Sequence, residues 1–101
     1  MNKDEFDSIK QLVASHQQLA KQAANALKIE VDTLINEENE DFMQIERLLD
    51  YLLDVACIPE GLTEFKKLCR YYFQLNPKTT QEYIHAYQDM WDEEGNNIND
   101  E

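Results

Sequence analysis

The run with the most chemical promise is Glu82-Tyr83-Ile84-His85. On a helix, Glu82 and His85 lie one turn apart on the same side, so a carboxylate and an imidazole could share a metal ion. Di-iron carboxylate bundles need two such Glu-x-x-His motifs and two further Glu. This chain has one motif. Its other histidine, His16, follows Val13 by three residues and cannot supply the second. A symmetric oligomer would duplicate Glu82 and His85 and draw Glu46 or Asp50 from a neighbouring helix. With 21 acidic residues in the chain, such a short motif also arises by chance, and a surface histidine beside a glutamate is the plainer reading. No cofactor is expected.

Nucleophilic chemistry has weaker support. Ser8 and Ser15 fall inside a helical pattern, without the strained turn or oxyanion-forming glycines that activate a serine. The two glycines, Gly61 and Gly95, make no phosphate loop. Cys57 and Cys69 stand among Ala56, Ile58 and Leu68, and read as reduced, buried thiols. The expectation is a protein that is not an enzyme.

Charge is distributed unevenly within a total of -12. Residues 1–35 hold four Lys against five acids, and residues 36–60 hold Arg47 against eight acids. Residues 61–80 reverse the sign, with Lys66, Lys67, Arg70 and Lys78 against Glu64 alone. Residues 81–101 hold seven acids and no base. The run from Lys66 to Phe73 mixes bases with aromatics, as some nucleic-acid surfaces do. Helical period splits the set: Phe65, Leu68, Tyr72 and Phe73 take the core side, leaving Lys66, Lys67 and Arg70 as a basic outer face. Three bases flanked by acids disfavour direct nucleic-acid binding. The face reads as a counter-charge within the protein or between subunits. The acids admit a nucleic-acid mimic that occupies a basic protein as an alternative function.

Such residues must be positioned by helices. Scarce Gly and Pro and abundant Leu, Ala, Glu, Gln and Lys argue against turn-rich β architecture. The first helix is expected over Asp4 to Asn36, roughly 50 Å long. Phe6, Ile9, Val13, His16, Ala20, Ala23, Leu27, Val31 and Leu34 recur on it at near-heptad spacing. A second helix is expected over 41–57, with Phe42, Ile45, Leu49, Leu52, Leu53 and Ala56 facing inward and Leu48 on the flank. Ile58-Pro59-Glu60-Gly61 reads as the break after it. A third spans 62–75, burying Leu62, Phe65, Leu68, Cys69, Tyr72 and Phe73. A fourth begins either at an Asn76 cap with Pro77 in its first turn, or at a Thr79 capping box closed by Glu82. It ends near Glu94 and carries Tyr83, Ile84, Tyr87, Met90 and Trp91 on one side. The Leu75-Asn76-Pro77 turn resembles tetratricopeptide hairpins over about 76–91. The ~34-residue period of that family is absent, and no function is carried across.

The fold expected is an all-α, small four-helix domain, its long N-terminal helix packed by three shorter helices. Residues 1–94 form the single domain and 95–101 a flexible acidic tail. The charged N-terminus and the lack of an apolar run of about 20 residues predict a cytoplasmic chain with no membrane partner. The function expected is that of a non-enzymatic protein-interaction or regulatory module with a partner of unknown identity. Tyr87, Met90, Trp91, Asp92, Glu93 and Glu94 are the candidate partner-binding residues, an acidic and aromatic surface suited to a basic partner. The seam of the first helix favours a homodimer over a monomer.

Overall fold

From Lys3 to Asn36 no Gly or Pro interrupts the chain, and the segment forms one helix, α1 (Lys3–Asn36). The structure, a computed structural model, describes residues 3–91, with side chains over 15–91. Three shorter helices follow: α2 (Phe42–Val55), α3 (Pro59–Phe73) and α4 (Pro77–Met90). There is no strand among the described residues. The end of the fourth helix expected at Glu94 and the acidic tail 95–101 lie outside the described residues.

Each boundary has a local cause. Asn39 N–H returns to the Leu34 carbonyl at 3.1 Å, with Glu38 between them in the left-handed region at φ 53°. This closes α1 in the manner of a Schellman turn. Asp41 then caps α2, its Oδ1 accepting from Met43 N–H at 3.1 Å and from Gln44 N–H at 3.4 Å. The α2–α3 connection is tighter than the sequence suggests. Pro59 and Gly61 belong to the first turn of α3 instead of to a break before it. Proline fits that turn because its missing N–H has no helical acceptor to satisfy. Gly61 is required by proximity: a Cβ there would sit 1.9 Å from the Val55 carbonyl oxygen. Of the two candidate starts for α4, the Asn76 cap is the one formed. Asn76 Oδ1 accepts from Thr79 N–H at 3.2 Å, and the buried Thr80 hydroxyl donates to the Asn76 carbonyl at 2.8 Å.

The core lies where α1, α2 and α3 meet. Ala24, Val31 and Leu34 of α1 face Ile45, Leu49 and Leu52 of α2 and Phe65, Leu68 and Tyr72 of α3. Ile45, Leu49, Leu52 and Leu68 are fully buried, each contributing about 2–3 kcal/mol of transfer free energy. α4 packs chiefly on α3, with a smaller contact to α2. In α1 the seam passes through Ala24; Ala23 and His16 are exposed. Residues Ser15 to Leu19 are all exposed, and among the described side chains α1 meets the core from Ala20 onward. Leu48 is buried, not flanking, whereas Phe42 and Phe73 are exposed. Of the two thiols expected to be buried, Cys69 is buried and Cys57 is exposed, because Cys57 lies just past the end of α2.

Candidate functional site

α3 and α4 are amphipathic and pack side by side, but their contact does not use all their apolar surface. Along α3, Leu62, Lys66, Cys69, Arg70 and Phe73 recur at three- and four-residue spacing, forming one stripe. Along α4, Thr80, Ile84, Tyr87 and Gln88 form another. The two stripes face each other across an open groove of about 350 Å³. Phe65 and Tyr87 build its floor, their rings 5.8 Å apart and tilted by 31°. Phe73 and Ile84 remain 47% and 37% exposed, the residue types a folded chain normally withdraws from water. Cys69 is buried within the floor, and burial pushes its thiol pKa up to about 12, against the lowering influence of Arg70. This thiol stays protonated at neutral pH and is a poor nucleophile.

Lys66 and Arg70 stand one turn apart on the α3 wall of the groove, both exposed. Among the described residues neither forms an ion pair. The α4 wall contributes no charge, its polar members being Thr80 and Gln88.

The three residues of the expected basic face thus separate. Lys67 turns toward α1, where its Nζ lies 3.0 Å from Asp32 Oδ1 and 3.2 Å from Glu64 Oε1. Lys28 joins the same cluster, 3.4 Å from Asp32 and 3.8 Å from Glu64. Glu64, buried between α1 and α3, is thereby neutralised from two sides. The bond from Lys67 holds the Asp32 carboxyl below its ordinary value, and Asp32 raises the Lys67 ammonium. Lys67 serves as an internal counter-charge. Lys66 and Arg70 do not.

The acids of α2 are also engaged. Tyr72, fully buried, donates its hydroxyl to Glu46 Oε2, and the Asn76 side-chain amide donates to Tyr72 Oη at 3.3 Å. Tyr83 donates to Asp50 Oδ1 at 2.8 Å. Burial and these carboxylates push the Tyr72 hydroxyl up to about 12 and raise that of Tyr83 as well. Glu46 and Asp50 therefore act as acceptors that fasten α3 and α4 to α2. Glu82 and His85 are both exposed. Among the described residues no three His, Cys, Asp or Glu side chains gather as a metal would require.

The aromatic stripe of α4 divides as well. Tyr83 and Tyr87 are half-buried and Met90 is exposed. Trp91 donates its indole N–H to the Leu53 carbonyl at 2.7 Å, anchoring the end of α4 on α2. Asp92, Glu93 and Glu94 lie outside the described residues. Sequence reasoning placed Tyr87 at a partner surface but left Phe73 in the core. The signal available was the common stripe of Phe73 with Lys66 and Arg70.

Compared with known proteins, the chain matches no family model, no curated protein and no solved structure. No helix among the described residues is long and apolar enough to cross a membrane.

Proposed function

We propose that this chain is a non-enzymatic, cytoplasmic protein-interaction module whose working surface is the α3–α4 groove. The observation that carries this reading is the groove itself: Phe73 and Ile84 exposed over a floor of Phe65 and Tyr87. Apolar side chains that frame a concave surface, with charge confined to the rim, are the ordinary anatomy of a protein-binding site. Both cysteines are free thiols, which accords with a reducing compartment.

Affinity capture from the native cell with the wild type, Phe73→Ser and Ile84→Asp tests the reading. A partner retained by the wild type and lost on both variants supports it. Unchanged capture by two folded variants removes the groove as the interface.

Self-association has its own support in α1, where Ser15 to Leu19 are exposed and Leu19 is 61% exposed. We propose a homodimer through this segment. Sedimentation showing only monomer at tens of micromolar, taken as roughly the scale of a weak dimer, would exclude it. The α1 contact predicts a dimer that survives Ile84→Asp.

A further inference from the structure

We infer that the α3–α4 groove receives an amphipathic helix carrying two acidic residues one turn apart on the flank that faces α3. The inference rests on the interaction reading above and adds the chemistry of the partner.

Shape is the first ground. Two helices with facing apolar stripes offer the seat into which a third helix fits, anchored by apolar residues at i, i+3 or i+4, and i+7. The stripe from Leu62 to Phe73 runs about 16 Å along α3, enough for about three turns of a partner helix. The ends of the stripe differ: Leu62 is half-buried, while Phe73 is exposed and offers the larger apolar contact.

Charge is the second ground, and it is asymmetric. Lys66 and Arg70 stand one turn apart on the α3 wall, while the α4 wall offers Thr80 and Gln88. A partner helix has its own neighbours one turn apart at i and i+4. Two carboxylates at that spacing on its α3 flank would meet the ammonium and guanidinium together, and the flank toward α4 would be neutral and polar. Basic residues on the α3 flank would oppose Lys66 and Arg70. The third cation of the α3 face, Lys67, is committed to Asp32 and Glu64, so it does not extend the rail. The rule for recognition is therefore two acids, not a longer acidic run. Arg70 also suits bidentate pairing with a carboxylate.

The test selects from a displayed library of helical peptides with fixed apolar anchors and randomised flanks, against the immobilised full-length chain. Enriched peptides are expected to carry Asp or Glu at i and i+4 on one flank only. Their affinity should fall roughly tenfold or more on Lys66→Glu with Arg70→Glu, and weaken as salt rises. It should also be lost on Ile84→Asp. Lys66, Arg70 and Ile84 are exposed, so these variants should melt with the wild type; Phe73→Ser serves if Ile84→Asp does not fold. Peptides that map to the groove with neutral or basic flanks overturn the acidic rule and leave the interaction reading standing. Failure to enrich any peptide whose binding depends on Ile84 or Phe73 overturns both. A dimer of the wild type abolished by Ile84→Asp would assign the groove to a second copy and also overturn the inference.

Discussion

Lys67 Nζ lies 3.0 Å from Asp32 Oδ1 and joins α3 to α1 across 35 residues of chain. The same ammonium faces the buried Glu64, which makes it the hinge of the cluster. Lys67→Met should therefore destabilise the domain by leaving Glu64 with Lys28 alone. Stripping the partner from a fully buried ion costs about 3–5 kcal/mol. Lys67 is partly exposed and Lys28 stays near, so about 1–2 kcal/mol is expected here after solvent screening. A urea midpoint shift at unchanged slope checks it. The acid response should change too. Asp32 has a lowered pKa in the fold, so its contribution is present above the ordinary value of 3.8 and is lost as pH falls through the lower folded value. Without Lys67 that part of the acid response should shrink.

At high pH the sign reverses. Lys67, Tyr72 and Tyr83 all hold their protons more tightly in the fold than in the open chain. Their contributions are complete below the unfolded values and are lost as pH rises through the folded ones. Stability should fall steadily from about pH 10, the ordinary tyrosine value, toward the value of about 12 held by Tyr72. Tyr72→Phe should cost about 1.5–3 kcal/mol at neutral pH, the range for a hydrogen bond to a charged acceptor. It should also flatten this alkaline loss. Thermal melts of the two proteins at neutral and alkaline pH decide the matter; an identical pH slope would show that Tyr72 holds its proton no more tightly in the fold than in the open chain.

Gly61 is fixed by its distance to another backbone group. Since a Cβ would lie 1.9 Å from Val55 O and 2.5 Å from Val55 C, no rotamer change relieves Gly61→Ala. The α2–α3 turn must open, and a cost of at least about 2–3 kcal/mol is expected from overpacking of this kind. In a domain of this size that is a melting-temperature loss of roughly 10 °C or more. A melt within two or three degrees of the wild type, roughly a tenth of the expected cost per degree, would show that the turn yields cheaply.

The helices were legible because amphipathic period and end signals are local. Asn76-Pro77, one of two candidate starts, lies within a few residues of what it controls; Asp41, expected as the first residue of α2, is instead its cap. The α2–α3 turn was misread for a physical reason: Pro and Gly break a helix interior but fit a first turn, and only the approach of Val55 shows which applies at Gly61. The acids at Glu46 and Asp50 gave no hint that Tyr72 and Tyr83 would claim them, since those pairs are 26 and 33 residues apart. The groove was hidden on the same grounds. Phe73 and Ile84 belong to separate stripes, each of which suits a core, and their shared exposure arises only from how α4 is set on α3.

Glu38 offers a gain instead of a loss. It holds φ 53° at the end of α1, where glycine carries no Cβ penalty. Glu38→Gly should remove strain of about 1 kcal/mol, part of it offset by the greater freedom of glycine in the unfolded chain. A net stabilisation of about 0.5 kcal/mol is expected, seen as a rise in the urea midpoint. A fall would mean that chain entropy outweighs strain at this turn.

The two thiols should react on separate clocks. Cys57 is exposed and Cys69 lies buried in the groove floor, with its pKa pushed up to about 12. At pH 8 only about one Cys69 in ten thousand would be thiolate, the reactive form. A disulfide reagent should therefore label one cysteine per chain quickly, and Cys57→Ser should abolish that phase. The second label should appear at a rate set by opening of the fold, and should accelerate with urea along with unfolding. Rapid labelling of Cys69 without urea would mean that α3 and α4 separate locally. A peptide seated between them would then slow the reaction, and only in that case would the Cys69 rate report occupancy.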